Sequence, residues 1–463
     1  MIGPHLQAAI GRSADPGAVA VAVQRLIERD PLVGTRLEDQ PHLREALVAV
    51  LGASRSLAEL CLAEPAAVEV LADLDVRLPP PVGATTHDLR GWKRLELLRL
   101  AARDLVGIDD LPTVGRGLAR MADEVLEQAC GLVGTSGLAV VGMGKLGGAE
   151  LNYSSDIDVM FVADSPAAGE RDAREVLEVA RTCFRVDVDL RPEGRDGPLV
   201  RSLASYEAYW GRWAHTWEFQ ALLKARPVAG DPGLGAAFSA RAAEHLWNRP
   251  FTSDDLRAVR TMKARAEGEL ARKRLADREV KRGRGGIRDI EFAVQLLQLV
   301  HGGQDPALRS PTTLDALAEL GHGGYVEVGA ARALDHAYRL LRTVEHRLQL
   351  LHEQQVHVLP NDTAALDRLA RVMGYRDNVD GTAGELLVHY LHRQQAAVRS
   401  IHEHLFFRPL LDALLAGLRS PNAEGFRGAV GGKSPPTAPT PPDTTVEERL
   451  AAFGLPDAYQ HPQ

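Results

Sequence analysis

Along most of this chain apolar residues recur every three to four positions, in short bursts separated by proline and glycine. That period predicts amphipathic helices over 18–28, 43–51, 56–63 and 92–105, with Pro79-Pro80-Pro81 interrupting the set. The rhythm then changes. The glycine-bounded apolar run 138–141 predicts a buried strand. In Asp156-Ile157-Asp158-Val159-Met160-Phe161 the alternation predicts a second strand, with Asp156 and Asp158 on one face and Ile157, Val159 and Phe161 on the other. A helix is expected over 166–184, where Val176, Val179, Ala180 and Cys183 share a face, and a third strand over 185–190, its valines opposite Asp187 and Asp189. Trp210, Trp213 and Trp217 have helical spacing and are expected in a core. From 252 onward the helical period returns, with one stripe through Leu341, Val344, Leu348 and Leu351 and another over 386–407. Beyond 420 a Gly/Pro/Thr bias predicts a flexible linker, with one short helix over 446–455.

Composition sharpens this picture without redirecting it. At 463 residues, with 45% hydrophobic and only 5% aromatic residues, the chain should form two or three mostly helical domains. A formal net charge of -8 argues against sequence-independent nucleic-acid binding. No apolar run approaches the length of a membrane span, and the first residues lack a secretory pattern, so a cytoplasmic protein with no membrane partner is expected. The three cysteines, Cys61, Cys130 and Cys183, are scattered and read as free thiols. His346, His352, His357, His402 and His404 lack metal-site spacing and are expected on helix surfaces.

Chemistry concentrates between residues 137 and 164. Gly142, Gly144, Gly147 and Gly148 let the backbone turn sharply around Lys145, a cation among accessible amides of the kind that holds phosphate oxygens. Asp156 and Asp158, two positions apart on a strand, begin roughly 6 to 7 Å apart at the backbone and can converge on a hard cation such as Mg²⁺. The string GMGKLG also satisfies G-x-G-x-x-G, but the next strand arrives too soon for the crossover helix that a dinucleotide fold requires. A basic run follows later, through Arg272, Lys273, Arg274, Arg278, Lys281, Arg282, Arg284 and Arg288, suited to a polyphosphate, an acidic partner or a solvated helix face. It ends in the stretch 283–292, where Gly285 and Gly286 open onto a helix whose first amides suit an anion.

A glycine turn followed by Asp-Ile-Asp on the next strand resembles the DNA polymerase β type nucleotidyltransferase superfamily. The longer string GMGKLGGAELNYSSDIDVMFV closely resembles glutamine synthetase adenylyltransferase/adenylyl-removing enzymes, and the resemblance runs over 43–407, including V-D-x-x-L-R-P at 186–192 and G-G-I-R-D-I-E-F at 285–292. It implies an α+β, predominantly helical protein: a helical region over 1–125, a nucleotidyltransferase core with a small mixed sheet over 126–232, a helical bundle over 233–415, and the linker and short segment over 416–463. It further implies that Asp156, Asp158 and Asp187 are catalytic and hold Mg²⁺, and that Gly144, Lys145, Gly147, Ser155, Arg191, Lys224 and Arg288 contact the nucleotide. Asp189 stands where many relatives carry Arg. Such enzymes carry two cassettes, one attaching AMP from ATP to a tyrosine of glutamine synthetase, the other removing it with phosphate to release ADP; this chain has a single signature and looks most like the amino-terminal, removing half. Glutamine synthetase, ATP, ADP and phosphate are the implied partners. The alternatives are transfer to another regulatory protein such as PII, and a non-catalytic regulatory half.

Overall fold

The structure, a computed structural model, describes residues 2–83, 85–272 and 278–419. Lys273, Arg274 and the linker and short helix expected beyond 420 lie outside the described residues. Residues up to Leu414 form one compact unit; of the unit from Leu415 onward only residues 415–419, helical, are described.

Among the described residues eight helices precede the sheet. Four of them, Pro4–Arg12, Pro16–Arg29, Pro31–Asp39 and Pro41–Ala53, begin at a proline, whose missing amide and fixed φ suit the first helical position. Side chains cap several others. Ser54 accepts from the Leu57 amide ahead of Arg55–Ala63, Thr85 and Asp88 form a reciprocal box at Thr86–Leu105, and Asp110 accepts from Thr113 at the start of Leu111–Val133. The triple proline lies in the helix-free stretch between Ala66–Ala72 and Thr86–Leu105.

Among the described residues the strands are β1 (Leu138–Met143), β2 (Ile157–Ala163), β3 (Val186–Asp187), β4 (Val200–Arg201) and β5 (Arg226–Gly230). They form one mixed sheet in the order β3-β2-β1-β5, with β4 also beside β2. β1 is antiparallel to both neighbours, whereas β3 and β4 lie parallel to β2. Both faces of β1 and β2 are covered, which is why these strands read as apolar runs. Leu138, Val140, Ile157, Val159 and Phe161 share a core with the amino-terminal helices and with Pro166–Arg181. Ala139, Val141, Met143, Met160 and Val162 face Tyr206, Trp210, Phe219 and Phe238, carried by Leu203–Trp210, Thr216–Leu222 and Pro232–Trp247. A third core, built on Ile287–His301, Thr313–His322, Val328–Leu350, Thr363–Val372 and Ala383–Arg419, fills the helical region that follows.

Three expectations are corrected in detail. The third strand is two residues long, because the Asp187 carboxylate takes the amide of Asp189 and the Arg191 guanidinium gathers the carbonyls of Val188, Arg195 and Gly197, turning the chain into a loop. The tryptophans do not share a helix face: Trp210 is buried, but the chain breaks after it, leaving Trp213 69% and Trp217 37% exposed. His346 and His402 are buried rather than on helix surfaces; His352 and His404 are exposed and His357 is half-buried.

Candidate active site

The candidate site lies at the end of β1, where the apolar strand meets the glycine turn. Residues Gly144–Gly147 form a single helical turn instead of an open loop. Gly144 has φ +54°, and a Cβ there would lie 2.7 Å from Asp158 Oδ2, so the turn runs against that carboxylate only because the residue is glycine. Register does the rest. Met143 pairs with Asp158 across the antiparallel ladder, and Asp158 pairs with Asp187 across the parallel one, which puts the two carboxylates on one face of adjacent strands about 4.8 Å apart at the backbone. Burial, then the charges of Asp187 and Asp156, push the Asp158 carboxyl up to about 7, against the opposing pull of Lys281 and Lys145. Oxygen donors that repel one another in a partly dry setting are the donor set a hard divalent cation suits. The carboxylates are not gathered as tightly as bound metal demands: among the described residues no set of three His, Cys, Asp or Glu could hold an ion. Asp156 lies just ahead of β2 and is engaged by Arg185 at 2.6 Å, and Asp187 accepts from Asp189 at 2.7 Å.

The structure separates the cations the sequence singles out. Lys145 is nearly buried, with its ammonium 3.5 Å from Glu345. Burial lowers Lys145 to about 8, and Glu345 offsets part of that shift. Lys224 is buried in a pair with Glu150 at 2.5 Å and with Thr313 at 3.0 Å, and its carbonyl closes over Gly147, where a Cβ would lie only 1.6 Å away. Arg191 is the buried staple of the loop after β3, and Arg288 lies over the Phe292 ring one helical turn on. Asp189 pairs with Arg195 at 2.6 Å. Ser155 is half-buried next to Asp156.

Sequence reasoning did not single out the groups that grip the segment between β1 and β2. Arg342 donates to the Glu150 carbonyl and the Asn152 side chain, Gln349 accepts from the Ser154 amide, Ser154 donates to the Glu353 carbonyl, and Thr312 donates to the Gly148 carbonyl. Arg342 and Gln349, with Glu345, which pairs with Lys145, come from Val328–Leu350, where they read as the polar side of a helix. Glu150 and Asn152 fall inside the long signature string and were its available signal.

A family profile described as Glutamate-ammonia ligase adenylyltransferase matches residues 24–181 and 176–241. The protein named bifunctional glutamine synthetase adenylyltransferase/adenylyl-removing enzyme from Streptomyces avermitilis is 41% identical over 94% of this chain and 47% of its own length. The chain belongs to this adenylyltransferase/adenylyl-removing enzyme family. Family members of the same name from Streptomyces coelicolor and Mycobacterium tuberculosis are 41% and 40% identical, over 89% and 88% of this chain and 45% and 44% of theirs. The chain thus spans about half the length of the curated family members it matches. The adenylyltransferase profile covers all five strands and the three carboxylates. A second profile, described as GlnD PII-uridylyltransferase, matches 259–406 and covers the helix that grips the site. No helix among the described residues is long and apolar enough to cross a membrane.

Proposed function

We propose that this chain is a Mg²⁺-dependent nucleotidyltransferase that regulates glutamine synthetase by removing AMP from its adenylylated tyrosine, by attaching AMP from ATP, or by both. The observation that carries this reading is the pairing of Asp158 with Asp187 against the glycine turn, in a chain about 40% identical to enzymes named for that activity. Both directions demand displacement at the α-phosphorus. In removal, a phosphate oxygen bonds to phosphorus as the phosphorus–tyrosyl oxygen bond breaks; ADP forms and the tyrosyl oxygen takes a proton. In attachment, the tyrosyl oxygen loses its proton and attacks, and pyrophosphate leaves. Asp156, Asp158 and Asp187 are the residues that would hold Mg²⁺, which when bound neutralises charge on entering and leaving oxygens. The Arg185 side chain, 57% exposed, is free to swing off Asp156 as the carboxylates gather. Asp187 supplies the remaining acid–base capacity, and Gly144, Lys145, Gly147 and Ser155 form the wall along which phosphate oxygens lie.

The test uses the purified chain with Mg²⁺ in two reactions. One contains adenylylated glutamine synthetase and phosphate and is read for ADP; the other contains ATP and the unmodified enzyme and is read for AMP transfer. Product in either, abolished by a chelator, supports the proposal, and silence in both overturns it. A second reading, nucleotidyl transfer to a PII-type regulatory protein, is favoured by the profile match over 259–406 and is tested by adding UTP and PII to the same chain.

A further inference from the structure

Glu345 has no exposed surface, in the middle of Val328–Leu350. A carboxylate so placed requires compensating charge. Among the described residues three groups lie within ion-pair distance, His357 Nδ1 at 2.9 Å, Arg342 Nε at 3.3 Å and Lys145 Nζ at 3.5 Å, and the charge of Lys281 acts from further off. Arg342 has other partners, since its terminal nitrogens donate to the Tyr338 hydroxyl at 2.8 Å, to the Glu150 carbonyl at 2.7 Å and to Asn152. Lys145 differs. Among the described residues the ion pair the structure gives it is with Glu345, and it is the member of the cluster that stands in the glycine turn, one residue beyond the point where Gly144 meets Asp158. Neither Glu345 oxygen makes a well-directed hydrogen bond. The attraction is therefore ionic and loose enough to leave the three ammonium protons available to an incoming acceptor.

We infer that Glu345 is a positioning residue for Lys145: from the long helix it fixes the ammonium in the glycine turn that runs against Asp158, where phosphate oxygens of the nucleotide lie. The inference rests on the nucleotidyltransferase reading above. Holding a phosphate-contacting lysine by a glutamate from a separate helix makes the active geometry depend on that helix being in place, the logic of the lysine–glutamate pair of protein kinases. Here the helix belongs to the 259–406 segment and the lysine to the strand–turn unit, so the two regions share one catalytic requirement. The rival role for Glu345 is to balance the buried charge of Arg342 and nothing more.

The experiment separates the two with the full chain labelled with ¹⁵N at lysine Nζ, the Lys145 signal being assigned through Lys145→Arg. In the unaltered chain Lys145 should give a protected ammonium signal. Glu345→Gln should abolish it and lower kcat for AMP removal or attachment by about tenfold or more, with KM for glutamine synthetase changed by less than about twofold. Glu345→Asp, which keeps the charge one methylene back, should retain a shifted signal and recover most of kcat. An unchanged signal in Glu345→Gln, an unchanged kcat after the signal is lost, or equal kinetic losses in both variants would each overturn the inference. If Glu345→Gln fails to fold, Glu345→Asp decides alone: a shifted signal with reduced kcat supports the role, and identity with the unaltered chain overturns it. An unaltered chain inactive in both reactions sinks the functional reading and with it the role assigned to Lys145, while the ammonium signal still reports whether the tether exists.

Discussion

At the level of single residues the site is held by two kinds of necessity, steric and electrostatic. Gly147 shows the first. Its φ is ordinary, so any cost of a side chain there is purely one of space: a Cβ would meet Lys224 O at 1.6 Å and Gly142 O at 2.5 Å, both backbone atoms that cannot step aside without moving β1 and β5. Gly147→Ala should therefore cost about 3 to 5 kcal/mol of stability, read as a lowered midpoint in urea unfolding. An unchanged midpoint would mean the turn does not pack against Lys224. Asp158 shows the second. It faces Asp187 across the ladder in a partly buried setting, an arrangement that stability alone would not select. Asp158→Asn removes that repulsion at nearly constant shape, so it should abolish turnover while leaving the melting temperature equal or higher. Retained activity would remove Asp158 from the reaction. The turn and the carboxylates were legible in the sequence because glycine and alternating aspartate are local signals. Glu345 was not, since its meaning depends on Lys145, some 200 positions earlier in the chain and on a different element.

At the level of elements the helix Val328–Leu350 is the instructive one. Of its apolar stripe, readable from spacing as Leu341, Val344, Leu348 and Leu351, the first three do enter a core, while Leu351 lies just past the helix end and is half-buried. What periodicity could not show is that the opposite side is buried as well. Arg342, Glu345, His346, Arg347 and Gln349 press against the sheet unit and the amino-terminal helices, with Arg347 forming a two-pronged pair with Asp104 of Thr86–Leu105. A polar face normally marks solvent; here the polar groups are paired across a second interface. This has a pH consequence. His346 is enclosed by Arg342, Glu345 and Arg347 of its own helix, by Asp104 from Thr86–Leu105 and by the Tyr153 ring from the segment between β1 and β2. Burial, followed by Arg342, lowers its pKa from 6.5 to about 3, while Asp104 and Glu345 oppose the shift. Between those values the unfolded chain binds a proton that the folded chain refuses, so this contribution to stability is present above about pH 6.5 and is lost progressively as pH falls. His402, also lowered to about 3, acts in the same window. Replacing His346 with Gln should make the loss of unfolding free energy between pH 6 and pH 5 smaller by about 1.2 kcal/mol. Urea unfolding at the two pH values checks it, and an unaltered slope would mean that His346 takes up its proton in the folded chain.

At the level of the whole molecule, size and packing point in opposite directions. A chain of this length normally divides into parts that melt separately. Among the described residues three large apolar cores are indeed present, beside a small cluster at Leu256, Val259 and Leu296: one uniting the amino-terminal helices with one face of the sheet, one on the other face, and one in the later helical region. The joints between them, however, are made largely of buried polar groups. Lys224 pairs with Glu150, which also accepts from Thr313; Arg342 reaches the Glu150 carbonyl and Asn152; Arg347 grips Asp104. If the later helices melted alone, Asp104 would lose the guanidinium that neutralises it, and Glu150 and Lys224 would lose their hydrogen bonds to Thr313; stranding one buried charge costs about 3 to 5 kcal/mol. Such penalties are small beside the enthalpy of melting a helical domain, but they fall at the joints, where they decide whether one part can leave while the others stay. The expectation is a single calorimetric transition for the residues of the compact unit, with calorimetric and van't Hoff enthalpies in agreement. Replacing Arg347 with Ala, which takes the guanidinium from Asp104 and leaves it the Tyr153 hydroxyl, should lower that transition and begin to split it. Two resolved transitions in the unaltered chain would show that the polar joints are too weak to couple the cores, and the helix bearing Glu345 could then leave the glycine turn without unfolding the sheet.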